Sequence, residues 1–187
     1  MTDLDTRILD AAKVCRARWG IDRVTIDDIA AEAGVSRATL YRQFPGGREV
    51  LFEALRVREL EMFFSDLRQA VAEAITLEDL LVDIVVWSTR ALRDDEHLAI
   101  SLATEPGVAV TELTVEGLPR IVRVAHAFII PLVEPFLEPT QARQLIDVLA
   151  RVVISYFLAP SEVFDLGDEA SARRFIAPFL NDALTVR

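Results

Sequence analysis

Thr25-Ile-Asp-Asp-Ile-Ala-Ala-Glu-Ala-Gly-Val-Ser-Arg-Ala-Thr-Leu-Tyr-Arg-Gln-Phe44 is the stretch that decides the fold. Thr25 and Asp28 have capping-box spacing, and Ile26, Ile29, Ala30 and Ala33 follow at helical intervals. Gly34 supplies the residue that takes positive φ where a helix stops. Ser36 is the next N-cap, and from Arg37 to Phe44 only Leu40 and Phe44 need face inward. The outer face of this third helix is left to Arg37, Ala38, Thr39, Tyr41, Arg42 and Gln43, available to solvent or to a partner.

Upstream, Thr2 and Asp5 repeat the capping pattern, and Ile8, Ala11, Ala12, Cys15 and Trp19 predict an amphipathic helix ending at Gly20. Two short helices joined by Ala33-Gly34-Val35, with small Ala30 permitting close approach, meet the requirements of a helix-turn-helix. In that arrangement the third helix lies in the major groove. Arg37 reaches guanine O6 and N7, Thr39 and Gln43 bond base edges or phosphates, and Ala38 touches a thymine methyl. Tyr41, Arg42 and Arg48 suit phosphate contact, and Thr25 sits at a helix N-terminus whose N–H groups favour another phosphate. Ser36, at the start of the reading helix, completes the DNA-binding set. Phosphate contacts set register and base contacts set sequence.

Together with Thr6-Arg-Ile-Leu-Asp-Ala-Ala12, this stretch closely resembles the DNA-binding domain of the TetR family of bacterial transcriptional regulators. The resemblance covers roughly the first 55 residues and includes the Gly34-Val35-Ser36 turn, the Leu40-Tyr41 pair and Phe44. It implies an all-α homodimer with an amino-terminal three-helix reader and a larger helical domain for ligand sensing and dimerisation. One departure stands out: the family usually has a two-residue step between the Phe and a phosphate-binding Lys, whereas Pro45-Gly46-Gly47 precedes Arg48 here. A shifted fourth helix is the consequence, and the phosphate role of Arg48 stays open at this point.

Composition agrees with a globular helical protein. The chain has 187 residues, of which 52% are hydrophobic, with only seven Gly and eight Pro. One cysteine and two isolated histidines build neither a disulfide nor a tetrahedral metal site, so no metal and no cofactor are expected. The acidic start and the lack of an apolar run near roughly 18 residues lead to the expectation of a soluble cytoplasmic protein without membrane attachment. The formal charge of −10 argues against nucleic acid on bulk electrostatics alone. Its distribution argues the other way: Gly34 to Arg48 contains no acid but has Arg37, Arg42 and Arg48. Residues 1–55 hold eight bases and nine acids, so nearly all the excess acid lies in residues 56–187.

Downstream, a long helix is predicted from Arg48 to about Ala74, a fifth from Thr76 to about Leu92 and a sixth from Asp94 to Thr104. Pro106 and Gly107 read as a break. A seventh helix follows over Leu118 to Phe136 with Pro131 as kink or terminus, then an eighth over Thr140 to Leu158 and a last over Asp168 to Leu184 with Pro178 as a kink. The total is about nine helices, divided into a reader over 1–48 and a sensing and dimerisation domain over 49–187. The broad apolar face of the eighth helix, paired with the ninth, suits a four-helix homodimer interface of the kind the family uses.

The resemblance also implies an inducer cavity between the fourth and seventh helices, for which Phe63, Phe64, Trp87, Leu102, Phe128 and Ile129 are apolar candidates. Plain core packing is the competing account of each. His97, His126 and Glu105 carry no decisive pattern. The function expected is a homodimeric repressor of a near-palindromic operator, released by a small apolar ligand. A helical regulator without an inducer is the alternative. A helical small-molecule carrier or enzyme finds no support, because the chain lacks a Gly-rich phosphate loop, a nucleophile elbow and a His-Glu metal pattern.

Overall fold

The computed structural model describes residues 2–183, with side chains to residue 180, and every regular element among them is helical. There are ten α-helices and one 3₁₀ turn, and the chain divides after Glu61 into two compact units.

The first unit contains α1 (Asp3–Trp19), the 3₁₀ turn Ile21–Arg23, α2 (Ile26–Glu32), α3 (Arg37–Gln43) and the opening turns of α4 (Arg48–Ala70). Thr2 and Thr25 both form full capping boxes, with Asp5 and Asp28 as their reciprocal partners. Ile8, Leu9, Ala12 and Cys15 of α1, Ile29 of α2, Leu40 of α3 and Leu51 and Leu55 of α4 are at most 1% exposed. They form one core, and at about 1.5–3 kcal/mol for each large apolar side chain it is the main force holding three short helices together. The expected boundary at residue 48 falls at the first residue of α4. The compact unit instead runs to Glu61, because Leu51, Phe52 and Leu55 belong to its core. Ion pairs fasten the same stretch to α1: Arg16 donates to both Glu59 carboxylate oxygens at 3.0 and 2.6 Å, and Arg58 reaches Asp10 at 2.6 Å.

The second unit holds the rest of α4, then α5 (Leu77–Asp94), α6 (Glu96–Thr104), α7 (Pro106–Leu113), α8 (Leu118–Val133), α9 (Pro139–Leu158) and α10 (Glu169–Ala183). Its centre is α5, buried at Leu80, Leu81, Val82, Ile84, Val85 and Val86 and packed on α9 and α10, while α8 packs on α9 and α6 on α7. Arg173 of α10 donates to Glu78 at 3.1 Å and Asp79 at 2.9 Å, which ties α10 to the start of α5.

The tenth helix is α7, which sequence reading misses. Pro106 stands in the first turn, where a missing N–H costs nothing, so Pro106-Gly107 starts a helix rather than breaking the chain. The fourth helix stops at Ala70 rather than near Ala74, and α8 stops at Val133 rather than Phe136. Pro131 and Pro178 both lie inside helices, and the expected end at Leu184 lies outside the described residues. Among the described residues no helix is long and apolar enough to cross a membrane.

The caps carry a pH signature. Hydrogen bonds from Thr2, Thr25 and Thr76 hold Asp5, Asp28 and Asp79 below the usual carboxylate range, with Arg173 adding to the effect on Asp79. A depressed folded-state pKa contributes stability that is present above the unfolded value near 3.9 and is lost as pH falls through the folded one. The expected outcome is that Asp28→Asn lowers the urea midpoint at pH 7 and lowers it by progressively less as pH falls below the usual carboxylate range. An equal loss at every pH would assign the effect to something other than the carboxylate.

Candidate nucleic-acid interface

The turn between α2 and α3 is a Schellman closure. Gly34 adopts φ 63°, its N–H donates to the Ala31 carbonyl at 3.1 Å, and the Val35 N–H reaches Ala30 at 2.9 Å. Ser36 then caps α3 by accepting the Thr39 N–H at 3.1 Å, and the two hydroxyls lie 2.9 Å apart. Leu40 is 0% exposed and Phe44 is buried, so the inner face of α3 is fixed against the core as the pattern predicts.

What remains outward is a compact polar surface. Ser36, Arg37, Ala38, Tyr41 and Arg42 are exposed, and Thr39 and Gln43 are half-buried at its edge. The Arg42 guanidinium has no ion-pair or hydrogen-bond partner among the described residues. Arg37 is different: Nη1 lies 3.3 Å from Asp27 Oδ2, and its guanidinium carbon sits 5.6 Å from the Tyr41 ring centroid. The Tyr41 side chain first and the Asp27 charge second raise the pKa of Arg37 further, so it is cationic at any working pH.

The Pro45-Gly46-Gly47 insertion closes α3 onto α4. Gly46 and Gly47 take φ values of 114° and 71°, the Gly47 N–H donates to the Phe44 carbonyl at 2.9 Å, and the Leu51 N–H donates to Gly47 at 3.0 Å. A Cβ on Gly47 would stand 3.0 Å from Tyr41 Cε1, so glycine also makes room for that ring.

Two expected phosphate ligands are engaged elsewhere. Arg48 donates from Nε to the Val24 carbonyl at 2.9 Å and from Nη2 to the Ile21 carbonyl, with its guanidinium 5.3 Å from the Phe52 ring centroid. Half-buried, it pins the start of α4 to the α1–α2 connection by donating to one carbonyl of the 3₁₀ turn and one just after it. These contacts argue for a structural role for Arg48 and against the phosphate contact expected of it. Thr25 donates its hydroxyl to Asp28 Oδ2 at 2.6 Å and accepts the Asp28 N–H at 3.2 Å. A phosphate there would face the Asp28 carboxylate, which removes the electrostatic reason for placing one. These arrangements predict opposite phenotypes: Arg42→Ala is expected to weaken all duplexes alike and lower the salt slope by about one, whereas Arg48→Ala lowers thermal stability and leaves the slope unchanged.

In the second unit, four expected ligand residues form one aromatic cluster. Phe63 meets Phe64 and Trp87 edge to face at 5.2 and 5.1 Å, and Phe64 stacks on Phe128 at 6.4 Å. Ile129 is 2% exposed beside Phe128 on α8, and Leu102 is half-buried on α6. Sequence reading missed Asp27 as a member of the outer surface, because its contact with Arg37 depends on how α2 lies against α3.

The family model described as bacterial regulatory proteins, tetR family, matches residues 8–55, the stretch that contains this helix-turn-helix. An HTH-type transcriptional regulator of Mycobacterium tuberculosis is 32% identical over 131 residues, covering 66% of this chain and 67% of the relative. The HTH-type transcriptional repressor KstR2 of Rhodococcus jostii is 31% identical over 97 residues, covering 52% of this chain and 47% of its own. Among solved structures, the TetR family repressor AlkX from a Dietzia strain, implicated in biodegradation of n-alkanes, superposes with a TM-score of 0.67 at 26% identity, covering 95% of each chain. The chain belongs to the TetR family. It is a DNA-binding transcriptional regulator of that family.

Proposed function

We propose that the protein is a homodimeric repressor whose two α3 helices enter successive major grooves of a near-palindromic operator, about 34–36 Å apart or a multiple of it. The observation that carries this reading is the outer face of α3: Arg37, Ala38, Tyr41 and Arg42 stand exposed while Leu40 and Phe44 anchor the helix from behind. Arg37 and Ala38 read bases, Thr39 and Gln43 supply further hydrogen bonds, and Tyr41 and Arg42 hold phosphates. With Arg48 turned inward, the face has few free cations, and the salt dependence of binding is correspondingly shallow.

Dimerisation through α9 and α10 is supported by their apolar exposure. Val148 is 53% and Phe179 62% exposed, and Phe179 continues a run of rings through Phe175 to Tyr156. A two-fold mate would bury that surface.

The releasing ligand is apolar. The Phe63, Phe64, Trp87 and Phe128 rings offer hydrocarbon contact, and the resemblance to AlkX favours a saturated chain. Release is a population shift: ligand favours a state in which α4 pivots and the two reading helices are wrongly spaced, by no more than its differential affinity for the two states. The test is titration of the operator complex with n-alkanes and long-chain acyl compounds, followed by fluorescence anisotropy. Dissociation by one series, with DNA weakening that ligand by the same factor, is expected. Ligand and operator binding with no mutual effect would refute the sensing mechanism.

A further inference from the structure

We propose that Asp27 is a positioning residue for base reading: its carboxylate and the Tyr41 ring together hold the Arg37 guanidinium on the outer face of α3, directed for the groove before DNA arrives. The inference rests on the reading of Arg37 as the base-contacting cation.

Two adjacent aspartates open α2, and they do different jobs. Asp28 is spent on the cap, where Oδ2 accepts both the Thr25 N–H at 2.9 Å and the Thr25 hydroxyl at 2.6 Å. Asp27 makes no part of that box. Its side chain is 66% exposed and reaches across the turn to Arg37, itself 61% exposed, at 3.3 Å. On the other side Tyr41, one helical turn beyond Arg37 on α3, lies under the guanidinium at 5.6 Å. Tyr41 owes its place to Gly47, where any Cβ would press on the ring at 3.0 Å.

The charge of Asp27 makes the arrangement informative. A carboxylate beside a DNA-reading surface repels phosphate and works against affinity for any duplex. An Arg left to itself has many rotamers, and fixing them on binding costs free energy. Asp27 offsets that cost only when Arg37 is used in one direction. Non-specific binding, which needs a cation anywhere near phosphate, gains nothing from it. Asp27 thus raises the ratio of specific to random binding and lowers random binding itself, and it belongs to specificity rather than to affinity.

The experiment uses the full chain and a duplex recovered by selection from a random-sequence pool, with a scrambled duplex as reference, read by fluorescence anisotropy. Asp27→Asn is expected to cut the ratio of selected to scrambled affinity by up to about fivefold, the upper end of what an exposed ion pair supplies, while affinity for the scrambled duplex stays level or rises. Asp27→Glu is expected to restore most of the ratio. In the Arg37→Ala background, Asp27→Asn is expected to leave the ratio unchanged, because the group it positions is gone. Loss of both affinities together with a lower melting temperature would make Asp27 a helix-stabilising residue and overturn the proposal. An unchanged ratio in Asp27→Asn, with Arg37→Ala still lowering it, would overturn the positioning role alone. If Arg37→Ala also leaves the ratio intact, the base-reading assignment falls and this inference falls with it.

Discussion

Leu40→Ala is expected to lower the stability of the first unit by about 2–5 kcal/mol, the range for truncating a fully buried leucine. Leu40 is 0% exposed and is the only residue of α3 that the seven-residue helix buries outright. A helix this short does not hold its shape in water, so the packing of one side chain carries most of its order. Total stabilities run to about 5–15 kcal/mol, and such a loss takes away a large part of the margin. The measurement is urea unfolding at pH 7, compared with Arg42→Ala, whose exposed side chain predicts a change within about 0.5 kcal/mol. Operator binding should recover when the variant is refolded by lower temperature or stabilising osmolyte. A loss below about 1 kcal/mol for Leu40→Ala would mean that α3 is anchored by something other than the core described above.

Arg37→Ala is expected to cost about 1–3 kcal/mol of binding to the selected operator and to relax preference at one base position, which is the discrimination a bidentate guanine contact supplies. Arg42→Ala differs in kind, since a phosphate contact is lost from every duplex equally. The two variants measured on operator and scrambled DNA at two salt concentrations separate the roles. Equal losses for both variants on both duplexes would contradict the division of α3 into a reading residue and a phosphate residue.

The reading unit was legible in the chain because its signals are local. Capping pairs three residues apart, a glycine after the last buried alanine and a 3–4 apolar rhythm define α1, α2 and α3 with no knowledge of distant contacts. Leu40 and Phe44 announce an inner face by the same rhythm, and the outer face follows by subtraction. Failures fall where partners are remote. The hydrogen bonds of Arg48 go to carbonyls 24 and 27 residues earlier, and nothing near Arg48 signals them. Asp27 was passed over for a related reason, as an acidic residue in a first turn already has an adequate explanation in the helix dipole. Pro106-Gly107 shows a different ambiguity: the same dipeptide ends one helix and can begin another, and only the turns that follow decide. In the second unit, apolar composition identified Phe63, Phe64, Trp87 and Phe128 as candidates, but large apolar residues are mostly core, so composition alone does not distinguish a ligand surface from packing.

The charge pattern was half legible. An acid-free window over residues 34–48 with three arginines reads as a basic patch, yet one of the three faces inward and another is paired with Asp27. A surface with so few free cations, on a chain of formal charge −10, has to obtain its affinity from fitted base and phosphate contacts rather than from bulk attraction.

That requirement gives the most direct test of the central claim, that α3 reads a defined DNA sequence. The measurement is fluorescence anisotropy of the purified chain against duplexes from a random-pool selection, at two salt concentrations and with scrambled competitor. The account predicts saturable, competitor-resistant binding to one near-palindromic sequence with a shallow salt slope. Binding no tighter to any selected duplex than to scrambled DNA would contradict it.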